Sequence, residues 1–345
     1  MLPKHIAALV EPPFECGRIV SQDRGSYVVA TNSDEVRAEI TGAYRYASQV
    51  TTDFPIVGDY VAVQTSCNEN SNESGITMIH RLLPRKNFFA RRSIDGSVDL
   101  QPIAANLDTL FITVALNRDF NLRRLERYLI AAAGFNVPCA IALTKIDLVE
   151  DPAEYIHAAK SIAGEAPVVA LSAMEGNGMD ELHPFLGTDK TIAFVGSSGV
   201  GKSTLINVLL KEERLAVNHI SSQVQKGRHT TTKRLLIQLT DGTSIIDTPG
   251  MREFALADAE VGVNAVFCEI TQLADECRFR DCKHHSEPGC AVRDNVDTEV
   301  YSRWRKLERE AAYETRKTDR VAAEVEKARW KAINKANRGT KRLSL

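Results

Sequence analysis

The chain has 345 residues, of which 43% are hydrophobic and 26% charged, which is ordinary for a globular protein and predicts two or three folded units. The formal net charge of −2 indicates no partner, but residues 301–345 hold 14 Lys and Arg against 6 Asp and Glu, a local net charge of +8. The longest apolar run, residues 107–116, has about half the length of a membrane span. Glu11 comes too early for a secretory signal, and the seven unevenly spaced cysteines do not fit a disulfide framework. We therefore expect a cytoplasmic protein that contacts no membrane.

Residues 1–95 have the pattern of a small β-domain. Short runs of β-forming residues are separated by polar and glycine-containing turns. The predicted strands cover residues 26–30, 36–40, 60–64 and 76–79. About five short strands in this length predict a small barrel, and an oligonucleotide-binding (OB) fold is favoured, although an SH3-like barrel would give much the same pattern. We predict an OB-type, RNA-binding domain here.

A basic segment with two aromatic residues follows these strands. Residues 81–92 carry five basic side chains, no acidic one, and Phe88 and Phe89. Cations suit phosphates and flat rings can stack on unpaired bases, so the segment is a candidate RNA contact. The alternative, which the sequence alone favours, is a linker whose two phenylalanines are buried against the barrel.

Over residues 96–257 apolar runs alternate with helical stretches, which predicts a mostly parallel sheet with helices on both faces. The predicted strands are residues 107–116, 139–143, 168–171, 192–195, 235–239 and 244–246, and the predicted helices include 122–135, 153–163 and 202–210. Residues 258–345 are expected to form a helical domain that is interrupted by a cysteine cluster and ends in a basic helical tail.

The strongest motif is Gly196-Ser-Ser-Gly-Val-Gly-Lys-Ser203, which has the G-x-x-x-x-G-K-[ST] spacing of a phosphate-binding loop. It follows a strand-like run and precedes a predicted helix, as this motif requires. Its glycines let successive backbone N–H groups face a polyphosphate at a helix N-terminus. Lys202 can reach the β- and γ-phosphates, and Ser203 can ligate Mg²⁺.

Three further motifs, each at the end of a predicted strand, favour a GTPase over a kinase or an ATPase. Asp247-Thr-Pro-Gly250 suits a carboxylate that holds Mg²⁺ through water and a glycine N–H that meets the γ-phosphate. Thr144-Lys-Ile-Asp147 offers a carboxylate that can accept from both N1–H and the 2-amino group of guanine, a pattern that adenine lacks. Ser172-Ala173 offers a main-chain N–H to guanine O6.

The order of these motifs is unusual, because the guanine-reading pair precedes the phosphate loop in the chain. A permuted sheet keeps the same site, since a site depends on geometry and not on chain order. The segment that follows Asp247–Gly250 then leads directly into the C-terminal domain. We hypothesise that the nucleotide state repositions that domain.

Residues 226–232, Lys-Gly-Arg-His-Thr-Thr-Thr, are the candidate first switch. A threonine here should complete the Mg²⁺ shell, and Thr231 is favoured over Thr230. Met251 stands where many GTPases carry a glutamine that orients the attacking water. Methionine cannot orient water, so His229 is the candidate hydrolysis residue; the alternative is an ordinary surface histidine.

Cys277, Cys282, His284 and Cys290 offer three thiolates and an imidazole within 14 residues. This donor set suits tetrahedral Zn²⁺ with no position left for a substrate, so a structural site is expected. His285 is the competing fourth ligand, and Cys268 is a less favoured substitute. The remaining alternative is a redox or incidental group of cysteines.

Taken together, these features resemble the ribosome-small-subunit-dependent GTPase A family (RsgA, also called YjeQ). The resemblance extends over nearly the whole chain. It includes 57–60 (Val-Gly-Asp-Tyr), 83–86 (Leu-Pro-Arg-Lys), 103–108 (Ile-Ala-Ala-Asn-Leu-Asp), 121–127 (Asn-Leu-Arg-Arg-Leu-Glu-Arg), the permuted motifs, 227–232 and the cysteine–histidine cluster. It implies an α/β fold: a circularly permuted P-loop GTPase core with an N-terminal OB-type β-barrel and a C-terminal helical zinc-binding domain.

The resemblance also implies functional residues, cofactors and partners. It assigns nucleotide binding to Thr144, Lys145, Ile146, Asp147, Gly196, Ser197, Ser198, Gly199, Val200, Gly201, Lys202, Ser203 and Thr204. The motifs described above add Ser172, Ala173, Asp247 and Gly250. The motifs themselves place Mg²⁺ with GTP on Ser203, Thr231 and Asp247. The resemblance assigns one structural zinc ion to Cys277, Cys282, His284 and Cys290. It favours His229, beside Lys202, as the hydrolysis residue. Slow GTP hydrolysis stimulated by the small ribosomal subunit and its rRNA, late in subunit maturation, is the implied activity, with a monomer as the default.

Thr144 departs from the Asn of many guanine-reading motifs. Its hydroxyl can still bridge to the phosphate loop with fewer hydrogen bonds, and base choice rests on Asp147. Two other classes remain as alternatives: a different P-loop enzyme such as a nucleotide kinase, and an RNA-binding assembly factor for which GTP is only a structural ligand.

Overall fold

The computed structural model describes residues 2–23, 25–65, 77–92, 100–117, 120–211, 234–248 and 259–316. Near the amino terminus, five strands close into a barrel: β1 (Glu15–Asp23), β2 (Ser26–Ala30), β3 (Glu35–Ile40), β4 (Tyr60–Thr65) and β5 (Thr77–Leu82). Two short helices accompany them, α1 (Lys4–Ala7) and α2 (Gly42–Ala47). The barrel closes because β1 pairs with both β2 and β4.

The barrel interior is filled by alternating strand residues. Ile19, Val29, Val61, Val63 and Ile79 are each at most 1% exposed, as expected for the inward face of small barrel strands. The predicted OB-type barrel is confirmed. Strand β1 was missing from the predicted set.

A hairpin of β6 (Phe88–Arg92) and β7 (Leu100–Ala105) connects the barrel to the rest of the chain. Phe89 is fully buried, and Phe88 and Phe89 pack on Phe135, with ring centroids 5.3 and 6.2 Å away. Arg85 forms a 2.7 Å ion pair with the buried Asp59. The burial that the sequence favoured over an RNA contact is thus found for Phe89, and Phe88 is half-buried. Their aromatic partner Phe135 follows α3 of the core, whereas the partner expected from the sequence was the barrel.

The core elements follow in the predicted alternation: β8 (Thr109–Ala115), α3 (Leu122–Gly134), β9 (Cys139–Thr144), α4 (Ala153–Ala163), β10 (Val168–Leu171), β11 (Thr191–Val195), α5 (Lys202–Leu210), β12 (Leu235–Gln238) and β13 (Ser244–Asp247). Short 3₁₀ helices also occur at Ile146–Leu148 and Met179–Phe185. The strand order is β10-β9-β8-β11-β13-β12. Every neighbouring pair is parallel except β12–β13. The mostly parallel sheet is confirmed.

The barrel and the core share one continuous sheet. Strand β1 pairs with β12 at Ser21 and Leu235. Arg18 on β1 donates to Ser244 Oγ at 3.0 Å and to Thr191 Oγ1 at 2.6 Å, at the amino ends of β13 and β11. A nucleotide is expected at the other end of these parallel strands, their carboxyl ends. The contacts of Arg18 therefore lie far from the expected nucleotide site.

Within residues 259–316, the described part of the C-terminal unit, there are four helices: α6 (Ala259–Val266), α7 (Cys268–Asp275), α8 (Ala291–Asn295) and α9 (residues 298–316). Their apolar cluster contains Val263, Phe267 and Trp304, together with Ile130 from α3 of the core. The tail beyond residue 316 lies outside the described residues. The domain boundaries remain a prediction; the one at 95/96 falls in the undescribed residues between β6 and β7.

No helix in the described parts of the chain is both long and apolar enough to span a bilayer.

Candidate nucleotide site and metal cluster

The phosphate loop joins β11 to α5, as predicted. Gly196, Gly199 and Gly201 have φ values of +152°, +80° and +100°, which disfavour residues with a side chain. A Cβ on Gly196 would lie 2.3 Å from the Thr113 carbonyl oxygen of β8. The glycines therefore allow both the curl of the loop and its close approach to the neighbouring strand.

Lys202 is folded over this loop. It is 7% exposed, and its Nζ donates to the carbonyl oxygens of Gly196 and Ser197, both at 2.8 Å. Burial lowers the pKa of Lys202 from its ordinary 10.5 to about 8, and the nearby Asp247 opposes this shift. The ammonium group thus sits at the base of the loop, where the negative charge of a polyphosphate would favour its charged form.

Thr144 and Lys145, at the end of β9, are bonded to the phosphate loop. Thr144 Oγ1 donates to Val200 O at 2.6 Å, and Lys145 Nζ donates to Gly199 O at 2.7 Å. Lys145 has φ +59°, a left-handed conformation that turns the chain into the short helix carrying Asp147. The two segments lie 54 to 56 residues apart in the chain but form one unit in the fold.

Asp147 is exposed, whereas Ser172 is fully buried at the end of the adjacent strand β10. Ser172 N–H already donates to Asn177 O at 2.9 Å, so a main-chain donor to a base at this pair has to be the Ala173 N–H. Because β9 and β10 are parallel neighbours, both motifs reach the same edge of the sheet.

Asp247 ends β13 on the same edge. Burial raises the pKa of this carboxyl group, and the neighbouring Lys202 opposes the shift. Ser203 is half-buried in the first turn of α5. Ser203 and Asp247, both oxygen donors, fit the hard ligands that Mg²⁺ prefers. His229, Thr231 and Gly250 lie outside the described residues.

Arg124 was not among the predicted site residues. Its Nη1 atom donates to Ser197 Oγ in the phosphate loop at 2.9 Å. Arg124 lies in the first turn of α3, which Asn121 caps by accepting from the Arg124 N–H at 3.1 Å. The capping signal was readable in the sequence, but the contact with a residue 73 positions away was not.

The predicted metal ligands come together. Cys277 Sγ, Cys282 Sγ, a ring nitrogen of His284 and Cys290 Sγ all lie within 4.8 Å of one another. His284 Nδ1 is 3.5 Å from both Cys277 Sγ and Cys290 Sγ, and these two sulfurs are 4.0 Å apart. Ligands about 2.0–2.3 Å from a tetrahedral zinc ion would have separations close to these, so the set fits zinc.

The loop around this cluster is independently fixed. Glu287 accepts from the N–H groups of Lys283, His285 and Ser286 at 2.8–3.0 Å. The N–H of Glu287 itself, followed by these backbone donors, lowers the pKa of its carboxyl group to about 2. His284 has φ +57°, and Tyr301 OH on α9 donates to its carbonyl oxygen. His285 contacts Arg305 and is not part of the cluster, which agrees with the preference for His284.

The phosphate loop is bonded to a motif of the type that recognises guanine, residues 144–147, and this motif precedes the loop in the chain. This combination defines a P-loop GTPase whose motifs are in permuted order. A model of the RsgA GTPase family matches residues 82–257. The chain belongs to the RsgA GTPase family and is a GTP hydrolase. A second model, of the ABC transporter family, matches residues 180–343, less than half of the chain; the phosphate loop lies within both matches.

Curated relatives agree with this assignment. A small ribosomal subunit biogenesis GTPase RsgA 2 of Lactiplantibacillus plantarum is 44% identical over 303 residues, which cover 86% of this chain and 84% of that protein. A small ribosomal subunit biogenesis GTPase RsgA of Opitutus terrae is 40% identical over 339 residues, 96% of this chain and 92% of that protein.

Solved structures support the fold. YjeQ from Thermotoga maritima superposes with a TM-score of 0.59 at 23% identity, covering 87% of this chain and 99% of that one. YloQ, described as a circularly permuted GTPase, superposes with a TM-score of 0.61 at 22% identity, covering 90% and 98%. The permuted order of the core is thus shared with known proteins.

Proposed function

We propose that this chain binds GTP at the carboxyl edge of its core sheet, hydrolyses it, and uses the cycle to promote late maturation of the small ribosomal subunit. The observation that carries the nucleotide part is the pair of bonds from Thr144 and Lys145 to the carbonyls of Val200 and Gly199. They hold the base-reading segment at the phosphate loop.

In this proposal each motif has one role. The Asp147 carboxylate accepts from N1–H and the 2-amino group of guanine, and the Ala173 N–H donates to O6. Lys202 binds the β- and γ-phosphates, and backbone N–H groups of residues 196–204 face the polyphosphate. The exposed position of Asp147 supports this role, because the carboxylate is accessible to a ligand.

Ser203 and Asp247 would hold Mg²⁺ together with Thr231, and the ion would neutralise charge on the β- and γ-phosphates. His229 is proposed to orient the attacking water, because Met251 cannot. Gly250 N–H would meet the γ-phosphate. Of these residues, Ser203 and Asp247 lie in the described part of the chain, and His229, Thr231 and Gly250 lie outside it.

The cysteine–histidine cluster is proposed to hold one zinc ion with a structural role. All four side chains are protein ligands, so no position is left for a substrate. Tyr301 and Trp304 of α9 contact His284, the latter with ring centroids 5.8 Å apart, so zinc would also fix α9. Zinc binding is then coupled to folding of residues 258–345.

The ribosomal part of the proposal rests on the relatives, which are named small ribosomal subunit biogenesis GTPases. The net charge of +8 over residues 301–345 suits a partner rich in phosphate, such as rRNA. We propose a cytoplasmic monomer with three units, 1–95, 96–257 and 258–345. The first contributes an RNA-binding barrel.

Nucleotide choice tests the site directly. Wild-type protein is expected to bind GDP far more tightly than ADP. Asp147→Asn replaces one acceptor oxygen by an amide donor, so it should lose GDP and gain XDP, whose 2-oxo group accepts where guanine donates. Equal binding of GDP and ADP by the wild type, or unchanged GDP binding by Asp147→Asn, would count against the proposal.

A further inference from the structure

Helix α3 contacts two regions that are far apart in the chain. Its first turn lies against the phosphate loop, where Arg124 Nη1 donates to Ser197 Oγ at 2.9 Å. Its later residue Ile130 is fully buried in the apolar cluster of the C-terminal unit. One helix therefore joins the nucleotide site to the C-terminal helices.

At the nucleotide end, Ser197 is held from two sides. Its hydroxyl accepts from Arg124, and its carbonyl oxygen accepts from Lys202 Nζ at 2.8 Å. Ser197 is only 8% exposed, so water does not readily replace either partner. Bonds with a charged donor are stronger than neutral ones. Since Lys202 binds the same residue, whatever fixes Ser197 also fixes the position of Lys202.

At the other end, two ion pairs join α3 to α9. The Glu126 carboxylate, 3% exposed, lies 3.4 Å from a guanidinium nitrogen of Arg303, and Arg127 lies 2.7 Å from Glu310. The charges are crossed, with an acid and a base on each helix. A shift of one helix along the other would break both pairs, so the pairs favour the observed register.

Helix α6 packs against α3 about one turn further along, at Ile130. A Cβ on Gly262 would lie 2.0 Å from the Ile130 carbonyl oxygen, so the two backbones are in direct contact. Residues 124 to 130 span fewer than two helical turns, a rise of about 9 Å. Because this segment is short, helical and closely packed, we expect a movement at either end to reach the other.

We propose that Arg124 is a positioning residue for GTP hydrolysis, which fixes the phosphate loop through Ser197 and ties its position to the C-terminal domain along α3. The proposal rests on the hydrolysis of GTP but not on any ribosomal partner. Arg124 acts through Ser197 and Lys202, and no contact with a phosphate is required.

Steady-state GTP hydrolysis by the full-length variants Arg124→Gln and Ser197→Ala tests the first part of the proposal, that Arg124 fixes the phosphate loop through Ser197. Each is expected to lower kcat about tenfold, the effect of losing one hydrogen bond to a charged group, with GDP affinity nearly unchanged. The double variant should be no slower than Arg124→Gln, because both changes remove the same bond. Arg123→Gln, the exposed neighbour on the same turn, is the matched control and should keep the wild-type kcat.

Wild-type kcat in Ser197→Ala would overturn this half, even if Arg124→Gln failed to fold. Equal losses of GDP affinity and kcat would also overturn it, because they would indicate a general structural role. Absence of hydrolysis by the wild type would instead count against the proposed function, so the two failures are distinguishable.

A double-mutant cycle between Arg124 and Glu310 tests the coupling. Glu310→Gln breaks a half-exposed ion pair and should lower kcat by about threefold in the wild type. In Arg124→Gln the same change should have no effect, because the connection is already broken. Residues without a shared partner normally act additively to within about a factor of two. Additive effects, or no effect of Glu310→Gln in the wild type, would overturn the coupling.

Discussion

The hydrogen bond from Thr144 to the phosphate loop offers the sharpest test of how this site is assembled. Thr144→Val keeps the shape of the side chain but removes the hydroxyl that donates to Val200 O at 2.6 Å. Thr144 is 3% exposed, so water cannot easily replace the lost donor. Leaving a buried carbonyl unpaired costs about 1–3 kcal/mol.

Part of that cost should appear as weaker nucleotide binding, because the bond joins the base-reading segment to the phosphate loop. If about 1–2 kcal/mol appears there, the dissociation constant for GDP rises about 5- to 30-fold. Titration calorimetry with GDP measures the change in the dissociation constant. Urea unfolding of the nucleotide-free protein measures the part of the cost that appears as lost folding stability.

Thr144→Ser is the matched control, since serine keeps the hydroxyl and loses only a methyl group. It should bind GDP nearly as the wild type does. Wild-type affinity in Thr144→Val, or equal losses in both variants, would refute the argument that this hydroxyl organises the nucleotide site.

Lys202, the cysteine–histidine cluster and the contact of α6 with α3 each give a further prediction. Because burial lowers the pKa of Lys202 to about 8, the nucleotide-free protein should gain stability above that pH while GDP affinity falls; pH-independent affinity between about 7 and 9 would contradict this. Metal analysis should find one zinc ion per chain in the wild type and in His285→Ala, and none in Cys290→Ser. Gly262→Ala should cost about 1–3 kcal/mol in urea unfolding, while Gly42→Ala, whose Cβ meets nothing within 4 Å, should cost little; equal costs would refute the close contact of α6 with α3.

The core was predictable because its signals are local. Residues 153–163 and 168–171 were predicted with the bounds that α4 and β10 have, since an apolar period is readable within one segment. The phosphate loop was equally clear, because its glycines, Lys202 and Ser203 are contiguous. The bridge from Thr144 to that loop was also correctly expected.

What the sequence could not supply depends on distant contacts. Strand β1 was missed because Gly17 and Arg18 interrupt its apolar pattern, and Arg18 is stabilised by Thr191 and Ser244 across the sheet. Phe88 and Phe89 were expected to lie against the barrel, or else to contact RNA, but their aromatic partner Phe135 comes from the core. Arg124 carried no signal of its role, because Ser197 is brought to it only by the parallel sheet.

GTP hydrolysis by the purified protein, measured alone, with small ribosomal subunits and with large subunits, tests the central claim most directly. A slow basal rate that rises strongly with small subunits only is the predicted result, because docking of the basic C-terminal region and the barrel would complete the site. A rate that neither subunit changes would contradict the proposed partner and favour GTP as a structural ligand of an RNA-binding factor. No hydrolysis under any condition would contradict the account of the site itself.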